Sequence, residues 1–234
     1  MKNLNFQKLA LEFETTSISL TKMALREGTT RQTLAKYFKK MGVKIINKQN
    51  RCKFNCNIFD CIDTEEKAYW LGFIFADGYI GSTPLRNNKK SVYNFEISLK
   101  LLDTSHLEKF KKFISYEKPV VTDDHRCRIM IANKHFWETL NNYGCTPRKS
   151  LTLKFPKLEI FKSKDLIRHF IRGYFDGDGC FSRHININTV SPSIAVIGTD
   201  DFLNKIVLLS NIPAIKSHDK RWSAETEYIR YRLN

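Results

Sequence analysis

The sequence predicts an α+β fold made of two αββαββα units, preceded by a small helical domain. Three observations predict it. An apolar, glycine-containing helix pattern occurs twice, each occurrence is followed by alternating segments and further helical segments, and the first quarter of the chain has its own basic helical pattern. We therefore divide the chain into a helical module, a basic linker, a first repeat, an inter-repeat linker and a second repeat, at 1–42, 43–62, 63–150, 151–164 and 165–234.

The charge of the chain indicates a polyanionic partner. Its 234 residues contain 39 lysines and arginines against 24 aspartates and glutamates, a net charge of +15. Such an excess favours nucleic acid over a membrane surface. No segment has the roughly 18 apolar residues that a membrane span requires, and the first residues do not match a signal peptide. We expect an intracellular protein with access to DNA and no membrane association.

The six cysteines do not indicate a disulfide scaffold or a zinc site. A secreted scaffold of this length would have more cysteines at regular spacings. Cys52, Cys56 and Cys61 lie close together, but no spacing of four zinc ligands emerges. We interpret them as reduced thiols, which agrees with an intracellular location.

A helical pattern that differs from the repeated one lies in the most basic part of the chain. Residues 1–60 hold twelve lysines and arginines and four acidic residues, so they supply +8 of the net charge. Within them, "SLTKMALREGTTRQTLAKYFKKMG" (19–42) predicts two short helices that meet at a turn. Gly28 can adopt the positive φ of that turn, and Thr29 or Thr30 can cap the second helix. The apolar spacing predicts a shared core of Met23, Ala24, Leu34 and Tyr37.

This helical pair resembles the helix-turn-helix module of DNA-binding regulators and recombinases. The resemblance implies that the second helix presents Arg31, Gln32, Thr33 and Lys36 to the major groove. An ordinary basic helical hairpin is the alternative. Residues 43–62, which follow, have little periodicity and many basic and amide side chains, so we interpret them as a linker.

The repeated pattern begins with "AYWLGFIFADGYIG" (68–81). It aligns without a gap with "HFIRGYFDGDGCFS" (169–182), which pairs Gly72 with Gly173 and Asp77 with Asp178. The two aspartates are 101 positions apart (178 − 77). A spacing of domain length indicates a duplicated unit.

The segments after each motif have the same order. Alternating segments predict strands over Tyr93–Lys100 and Ile187–Gly198, and each is followed by a predicted helix, Ser105–Ile114 and Asp201–Ser210. In the first unit, "RCRIMIA" predicts another strand and "NKHFWETLNNYG" (133–144) a closing helix. The second unit stops at "YIRYRLN" without such a helix, so we expect either that this unit is truncated or that it is capped differently.

The duplication explains why a carboxylate ends each apolar helix. If the two helices pack side by side, Gly72 and Ala76 on one and Gly173 and Gly177 on the other form small-residue faces that allow close approach. The helix ends then meet, and Asp77 and Asp178 lie together near the negative ends of two helix dipoles. A divalent cation would offset this repulsion. Carboxylates and the backbone carbonyls of Ala76 and Gly177 are hard ligands that suit Mg²⁺.

The two motifs, "WLGFIFADG" (70–78) and "IRGYFDGDG" (171–179), resemble those of the single-chain, two-motif LAGLIDADG homing endonucleases. The flanking "EEKAYWLGF" and "GCTPRKSLTLKFP" agree, and the resemblance covers residues 63–234. It implies that Asp77 and Asp178 are catalytic and bind the metal. Asp176 occupies a less critical acidic position, and Phe75 replaces its counterpart in the first motif.

The resemblance also implies a saddle of two four-stranded antiparallel sheets over the DNA major groove. Glu96, Ser98 and Lys100 then share the strand face that contacts DNA. Lys100 lies where several relatives have a basic residue near the scissile phosphate, and a solvated strand-end lysine is the alternative. The second half has no matching lysine, and its candidate basic residues are Arg183, Arg230 and Arg232.

These expectations describe a monomeric, Mg²⁺-dependent, site-specific endonuclease that makes a staggered break in double-stranded DNA, with no obligate protein partner. Two alternatives keep the same surface without DNA cleavage: a DNA-binding regulator and an RNA maturase. Protein splicing is disfavoured because the chain starts with methionine and ends Leu233-Asn234 without a preceding histidine.

Overall fold

The computed structural model describes residues 5–16, 18–43, 45, 53–84, 91–186, 189–211, 214–218 and 229–233. Side-chain environments are described for the same residues except 183–193 and 214–233. The chain divides into two compact units, 1–53 and 54–234, which are described separately.

The first unit is a group of three short helices. They are α1 (Phe6–Thr15), α2 (Leu20–Arg26) and α3 (Arg31–Lys40). Between α2 and α3, Gly28 has a φ of 65° and the Thr30 side chain accepts a hydrogen bond from the Thr33 amide at 3.1 Å. Their shared core contains Leu9, Ala10, Phe13, Leu20, Met23, Ala24, Leu34, Phe38 and Val43.

The expected core position of Tyr37 is wrong. Its side chain is 41% exposed and stacks on Phe6 with ring centroids 3.9 Å apart, whereas Phe38 is fully buried. The reason is α1, which the sequence patterns did not predict. Its Phe13 lies 5.3 Å from Phe38, ring to ring, and turns the α3 face of Leu34 and Phe38 inward.

The second unit has the duplicated arrangement that the sequence predicts, and the α+β fold class is confirmed. Its first half consists of α4 (Glu65–Asp77), β1 (Gly78–Pro84), β2 (Ser91–Lys100), α5 (Thr104–Phe113), β3 (Val121–Thr122), β4 (Arg126–Ala132) and α6 (Lys134–Tyr143). Its second half consists of α7 (Leu166–Asp178), β5 (Gly179–Asn186), β6 (Thr189–Gly198), α8 (Asp200–Ser210), β7 (Ala214–His218) and β8 (Ile229–Leu233).

Each half forms one four-stranded antiparallel sheet, in the orders β1-β2-β4-β3 and β5-β6-β8-β7. In the first sheet, Phe95 and Ile97 of β2 point into the core. The opposite face carries Glu96, Ser98 and Lys100, which pair in register with Met130, Arg128 and Arg126 of β4. Because strand residues alternate between faces, the three predicted β2 residues do share the outer face.

Both predicted linkers turn out to contain core residues. Phe59 and Ile62, within the range 43–62, are 1% and 0% exposed, and Phe161, within 151–164, is 7% exposed. The two segments also meet, because the Lys162 amide donates a hydrogen bond to the Ile62 carbonyl at 2.9 Å. Single aromatic and aliphatic anchors in an irregular segment leave no periodic signal, so the sequence patterns missed them.

Candidate active site

The helices α4 and α7 are in backbone contact through their glycines. A Cβ atom added at Gly72 would overlap the carbonyl oxygen of Phe170, and one added at Gly173 would overlap that of Tyr69. An offset of 101 positions converts one contact into the other, since it pairs Gly72 with Gly173 and Tyr69 with Phe170, so the two helices pack with an internal two-fold relation. Gly72 and Gly173 thus lie where the two helices meet, and no side chain larger than hydrogen fits at either glycine.

This packing places both motif aspartates at the same end of the helix pair. The helix α4 ends at Asp77 and α7 ends at Asp178, and each is followed at once by the first strand of its sheet. The Asp77 carboxylate reaches across to α7, where its Oδ2 lies 2.9 Å from the position that a Cβ of Gly177 would take. The glycine at 177 therefore leaves room for a carboxylate at the helix interface.

The surroundings of both aspartates disfavour negative charge. Burial raises the pKa of Asp77, the ammonium of Lys149 opposes this, and the charge of Asp103 adds to it. Burial raises the pKa of Asp178 to about 6. The ammonium of Lys149 acts in the opposite direction, and the charge of Asp77 raises the pKa further. Two partly buried carboxylates at helix carboxyl ends are stabilised as anions when a cation is close.

Lys149 is the functional candidate that sequence reasoning missed. It begins a short 3-10 turn, Lys149–Leu151, after Arg148, which adopts a left-handed conformation with a φ of 60°. Its Nζ donates a hydrogen bond to the carbonyl oxygen of Ala76, next to Asp77. The only available signal was a lysine within the quoted "GCTPRKSLTLKFP", and nothing in its spacing shows that the chain returns to the helix ends.

The residues at the helix ends suit a magnesium ion. The predicted ligands, Asp77, Asp178 and the backbone at Ala76 and Gly177, are all brought to this end, although the Ala76 carbonyl also accepts the bond from Lys149. Within the described residues, no three His, Cys, Asp or Glu side chains are grouped to hold a metal ion. Mg²⁺ commonly takes one or two carboxylates and completes its shell with water and substrate phosphate oxygens, so two aspartates fit it.

A cavity of about 570 Å³ opens beside Asp77 on the side of the first sheet. Acidic, basic, polar and apolar residues line it: Phe73, Asp77, Ser98, Leu99, Lys100, Asp103, His106, Asp176 and Gly177. The predicted residues Lys100 and Ser98 therefore share a cavity with Asp77. Glu96 lies two residues further out on β2, opposite Tyr79.

The outer wall of this cavity is a polar cluster that the sequence did not predict. The Tyr69 hydroxyl donates a hydrogen bond to Asp176 Oδ2 at 2.7 Å and lies 3.4 Å from His106 Nε2. The Arg172 guanidinium sits over the Tyr69 ring, 5.0 Å from its centroid. Burial lowers the pKa of His106, although the Asp176 carboxylate opposes this. Asp176 is thus held in place from the neighbouring helix.

The predicted DNA-binding residues of α3 belong to the first unit. Arg31, Gln32 and Lys36 are exposed there, while Thr33 is half-buried and its hydroxyl lies 2.9 Å from that of Thr30. The side chains of Arg183, Arg230 and Arg232, the candidate basic residues of the second half, lie outside the described residues. None of the described helices is long and apolar enough to cross a membrane.

No protein-family model matches the chain. Two curated proteins of Methanocaldococcus jannaschii are similar to part of it. The probable translation initiation factor IF-2 is 30% identical over 168 residues, 71% of this chain and 13% of that protein. The replication factor C small subunit is 31% identical over 132 residues, 56% of this chain and 7% of that protein. The chain thus spans only a small part of either relative.

Solved structures of LAGLIDADG proteins have a similar fold. The meganuclease I-SmaMI bound to uncleaveable DNA has a TM-score of 0.50 at 14% identity, with 71% of this chain and 78% of that chain covered. The meganuclease I-AabMI bound to uncleaved DNA has a TM-score of 0.50 at 13% identity, over 71% and 77%. The homing endonuclease I-LtrWI bound to target DNA has a TM-score of 0.50 at 16% identity, over 76% and 79%. At these identities the likeness is one of fold.

Proposed function

We propose that the protein is a site-specific DNA endonuclease that makes a Mg²⁺-dependent, staggered double-strand break. The observation that carries the proposal is the pair of partly buried aspartates, Asp77 and Asp178, held together at the ends of two glycine-packed helices. A chain that only bound DNA would gain nothing from two destabilised carboxylates. The fold it shares with DNA-bound homing endonucleases supports the same conclusion.

In this proposal, each aspartate serves mainly one DNA strand. Asp77 and Asp178 would hold Mg²⁺, which would supply a Lewis acid to activate water and to stabilise the leaving oxygen. The water oxygen forms a bond to phosphorus, the bond from phosphorus to the 3′ oxygen breaks, and that oxygen takes up a proton. The products are a 5′-phosphate and a 3′-hydroxyl.

Two lysines complete the proposed site. Lys100 lines the cavity beside Asp77, where its ammonium stabilises the negative charge that develops on the phosphate. Lys149 lowers the pKa of both aspartates and thus keeps them ionised and ready to bind the cation. Its bond to the Ala76 carbonyl fixes the backbone directly before Asp77.

The remaining predicted surfaces would hold the DNA. The outer face of β2, with Glu96 and Ser98, is continuous with Arg126 and Arg128 on β4 and suits a groove of duplex DNA. The exposed Arg31, Gln32 and Lys36, with Thr33, would add a second contact from the helix-turn-helix module. Both half-sites are then read by one chain, so we expect a monomer.

The curated relatives support an activity that does not depend on a host protein. The similar segment makes up 13% of a translation factor and 7% of a replication factor, two proteins whose names denote different functions. Such a distribution favours a segment that has an activity of its own, as the product of a mobile genetic element would.

A DNA-binding regulator without cleavage is the second candidate. Lys149 favours it, because an ammonium that lowers the pKa of both aspartates can offset part of their charge without a metal ion. Such a protein would keep the fold and the basic surfaces and would bind its site equally well with or without Mg²⁺.

Cleavage of a DNA library in Mg²⁺, followed by sequencing of the cut ends, tests the proposal. We expect one cut sequence with a fixed stagger, and no cut with Asp77→Asn or Asp178→Asn, while both variants still bind in Ca²⁺. Asp124→Asn, at an exposed aspartate outside the site, is the matched control and should cut normally. Binding without cleavage by the wild-type protein would support the regulator instead.

A further inference from the structure

The internal two-fold relation allows the two halves to be compared residue by residue. Tyr69 and Phe170 are equivalent, because each presents its carbonyl to the glycine of the other helix. The same offset of 101 makes Phe75 the counterpart of Asp176. Phe202 is the counterpart of His106, since each is the third residue after the N-cap of its helix, Thr199 in α8 and Asp103 in α5.

The cluster on the first side is polar and borders open space. Tyr69 donates to Asp176 at 2.7 Å and contacts His106, and both partners line the cavity that also contains Asp77 and Lys100. The aromatic ring of Tyr69 is further fixed by Arg172. These contacts hold an anion and a ring nitrogen beside the place where a phosphate and its attacking water would enter.

The equivalent cluster on the second side is aromatic and closed. Phe75, Phe170 and Phe202 are all fully buried. The ring centroids of Phe75 and Phe170 are 5.1 Å apart, and Phe202 lies 6.3 Å from each. Three polar positions of the first side thus correspond to three core phenylalanines, which can neither hydrogen-bond to water nor orient a phosphate.

The connection after the second strand also differs. In the first half, Lys100 is followed by a 3-10 turn, Leu101–Asp103, before α5 begins. In the second half, β6 ends at Gly198 and Thr199 already caps α8, with its hydroxyl bonded to the Leu153 carbonyl. Thr199 therefore takes the N-cap place of Asp103, and among the described side chains the second half has no lysine equivalent to Lys100 at this connection.

We propose that the two DNA strands are cut in a fixed order, and that the strand whose scissile phosphate enters the first-half cavity is cut first. The inference rests on the proposed function and deepens it, since it assigns unequal roles to two sites that share one helix pair. A preorganised polar wall with a lysine stabilises the charge of the transition state without reorganisation, whereas an apolar wall does not. Tyr69, His106 and Asp176 are positioning residues for that strand.

The order is measured with a cognate duplex labelled differently on each strand. We expect a nicked duplex to accumulate, always broken in the same strand, with the first cut about tenfold faster than the second. In the combined variant Tyr69→Phe, His106→Phe, Asp176→Phe, the first side resembles the second. The rate for the first-cut strand should fall toward that of the other strand, which itself stays within about twofold of wild type.

The ratio of the two rates comes from one enzyme preparation, so loss of folded protein does not change it. Asp176→Asn keeps an acceptor for Tyr69 at an exposed position and should give an intermediate ratio. Tyr93→Phe and His125→Phe change the same residue types outside the cavity and should keep the wild-type ratio. Binding to the uncleaved site in Ca²⁺ should be equal for all variants.

Two results would overturn the order: equal rates for both strands in the wild-type protein, or a wild-type ratio in the combined variant. Failure of the wild-type protein to cut either strand would instead overturn the proposed function, and the order with it. Simultaneous cutting at every time point counts as equal rates.

Discussion

The Asp178 carboxylate is partly buried, and this makes the free energy of unfolding depend on pH. Its pKa rises from an ordinary 3.8 to about 6 in the folded chain. A group with a raised folded pKa stabilises the fold below its unfolded pKa, and that contribution is lost as the pH rises through the folded value. Without divalent cations, ionisation of Asp178 above about pH 6 therefore destabilises the protein.

We expect Asp178→Asn to raise the free energy of unfolding at pH 7.5 by up to about 3 kcal/mol, and by far less at pH 4. Urea denaturation in EDTA at the two pH values measures the difference. Asp124→Asn, at an exposed position, should show no such pH dependence. A gain of equal size at both pH values would mean that the amide packs better, and that the charge of Asp178 is not the cause.

Lys149 should matter more for cleavage than for binding. Its ammonium lowers the pKa of both aspartates, so Lys149→Met should raise both pKa values and shift the acid limb of the pH–rate profile to higher pH. The cleavage rate at neutral pH should fall about 100-fold, while DNA affinity changes less than about threefold. Lys154→Met, an exposed lysine of the same segment, is the control. If the acid limb does not shift, Lys149 does not act on cleavage through the pKa of the aspartates.

Residues differ in how far the sequence reveals them. Asp77 and Asp178 could be predicted because each ends a motif that is repeated without a gap. Lys149, His106 and Asp103 reach the site only through the path of the chain, and no local period encodes that path. Asp176 was recognised by its place in the motif, but its bond to Tyr69 on the other helix requires the packing to be known.

At the scale of elements, the pair α4 and α7 is the feature on which the site depends. The glycine contacts are between backbones, which cannot move aside as a flexible side chain can. The sequence predicted this pair because small residues recur four positions apart in both copies. It did not predict α1 or the packed segments around Phe59 and Phe161, whose apolar residues are too few to show a period.

We expect Gly72→Ala and Gly173→Ala each to lower the free energy of unfolding by about 3 kcal/mol or more, because each added methyl group overlaps a carbonyl oxygen. The separated helix ends should also lose cleavage. Gly81→Ala is the matched control, since its methyl group would meet only the hydroxyl end of the exposed Tyr79 side chain, which can rotate away. Equal stability losses at all three glycines, measured by chemical denaturation, would contradict close helix packing as the cause.

At the scale of the whole molecule, the division at residue 53 defines what can be removed. The first unit has its own core, which ends at Val43, while Phe59 and Ile62 belong to the second unit. The sequence placed the end of the linker at 62, because it could not show that residues 54–62 are anchored. A domain boundary inferred from composition therefore lies within the core of the second unit.

Deletion of residues 1–53 should leave a folded endonuclease with a shorter footprint. The aspartates and the cavity all lie in the second unit, so the cut position should not change, while DNA affinity should fall and protection should be lost at one end of the site. Footprinting and cleavage mapping of both proteins measure this. Deletion of residues 1–62 is the control: it also removes Phe59 and Ile62, so it should lower the unfolding temperature steeply. Footprints of equal length for the full chain and the 54–234 protein would show that α3 does not contact DNA.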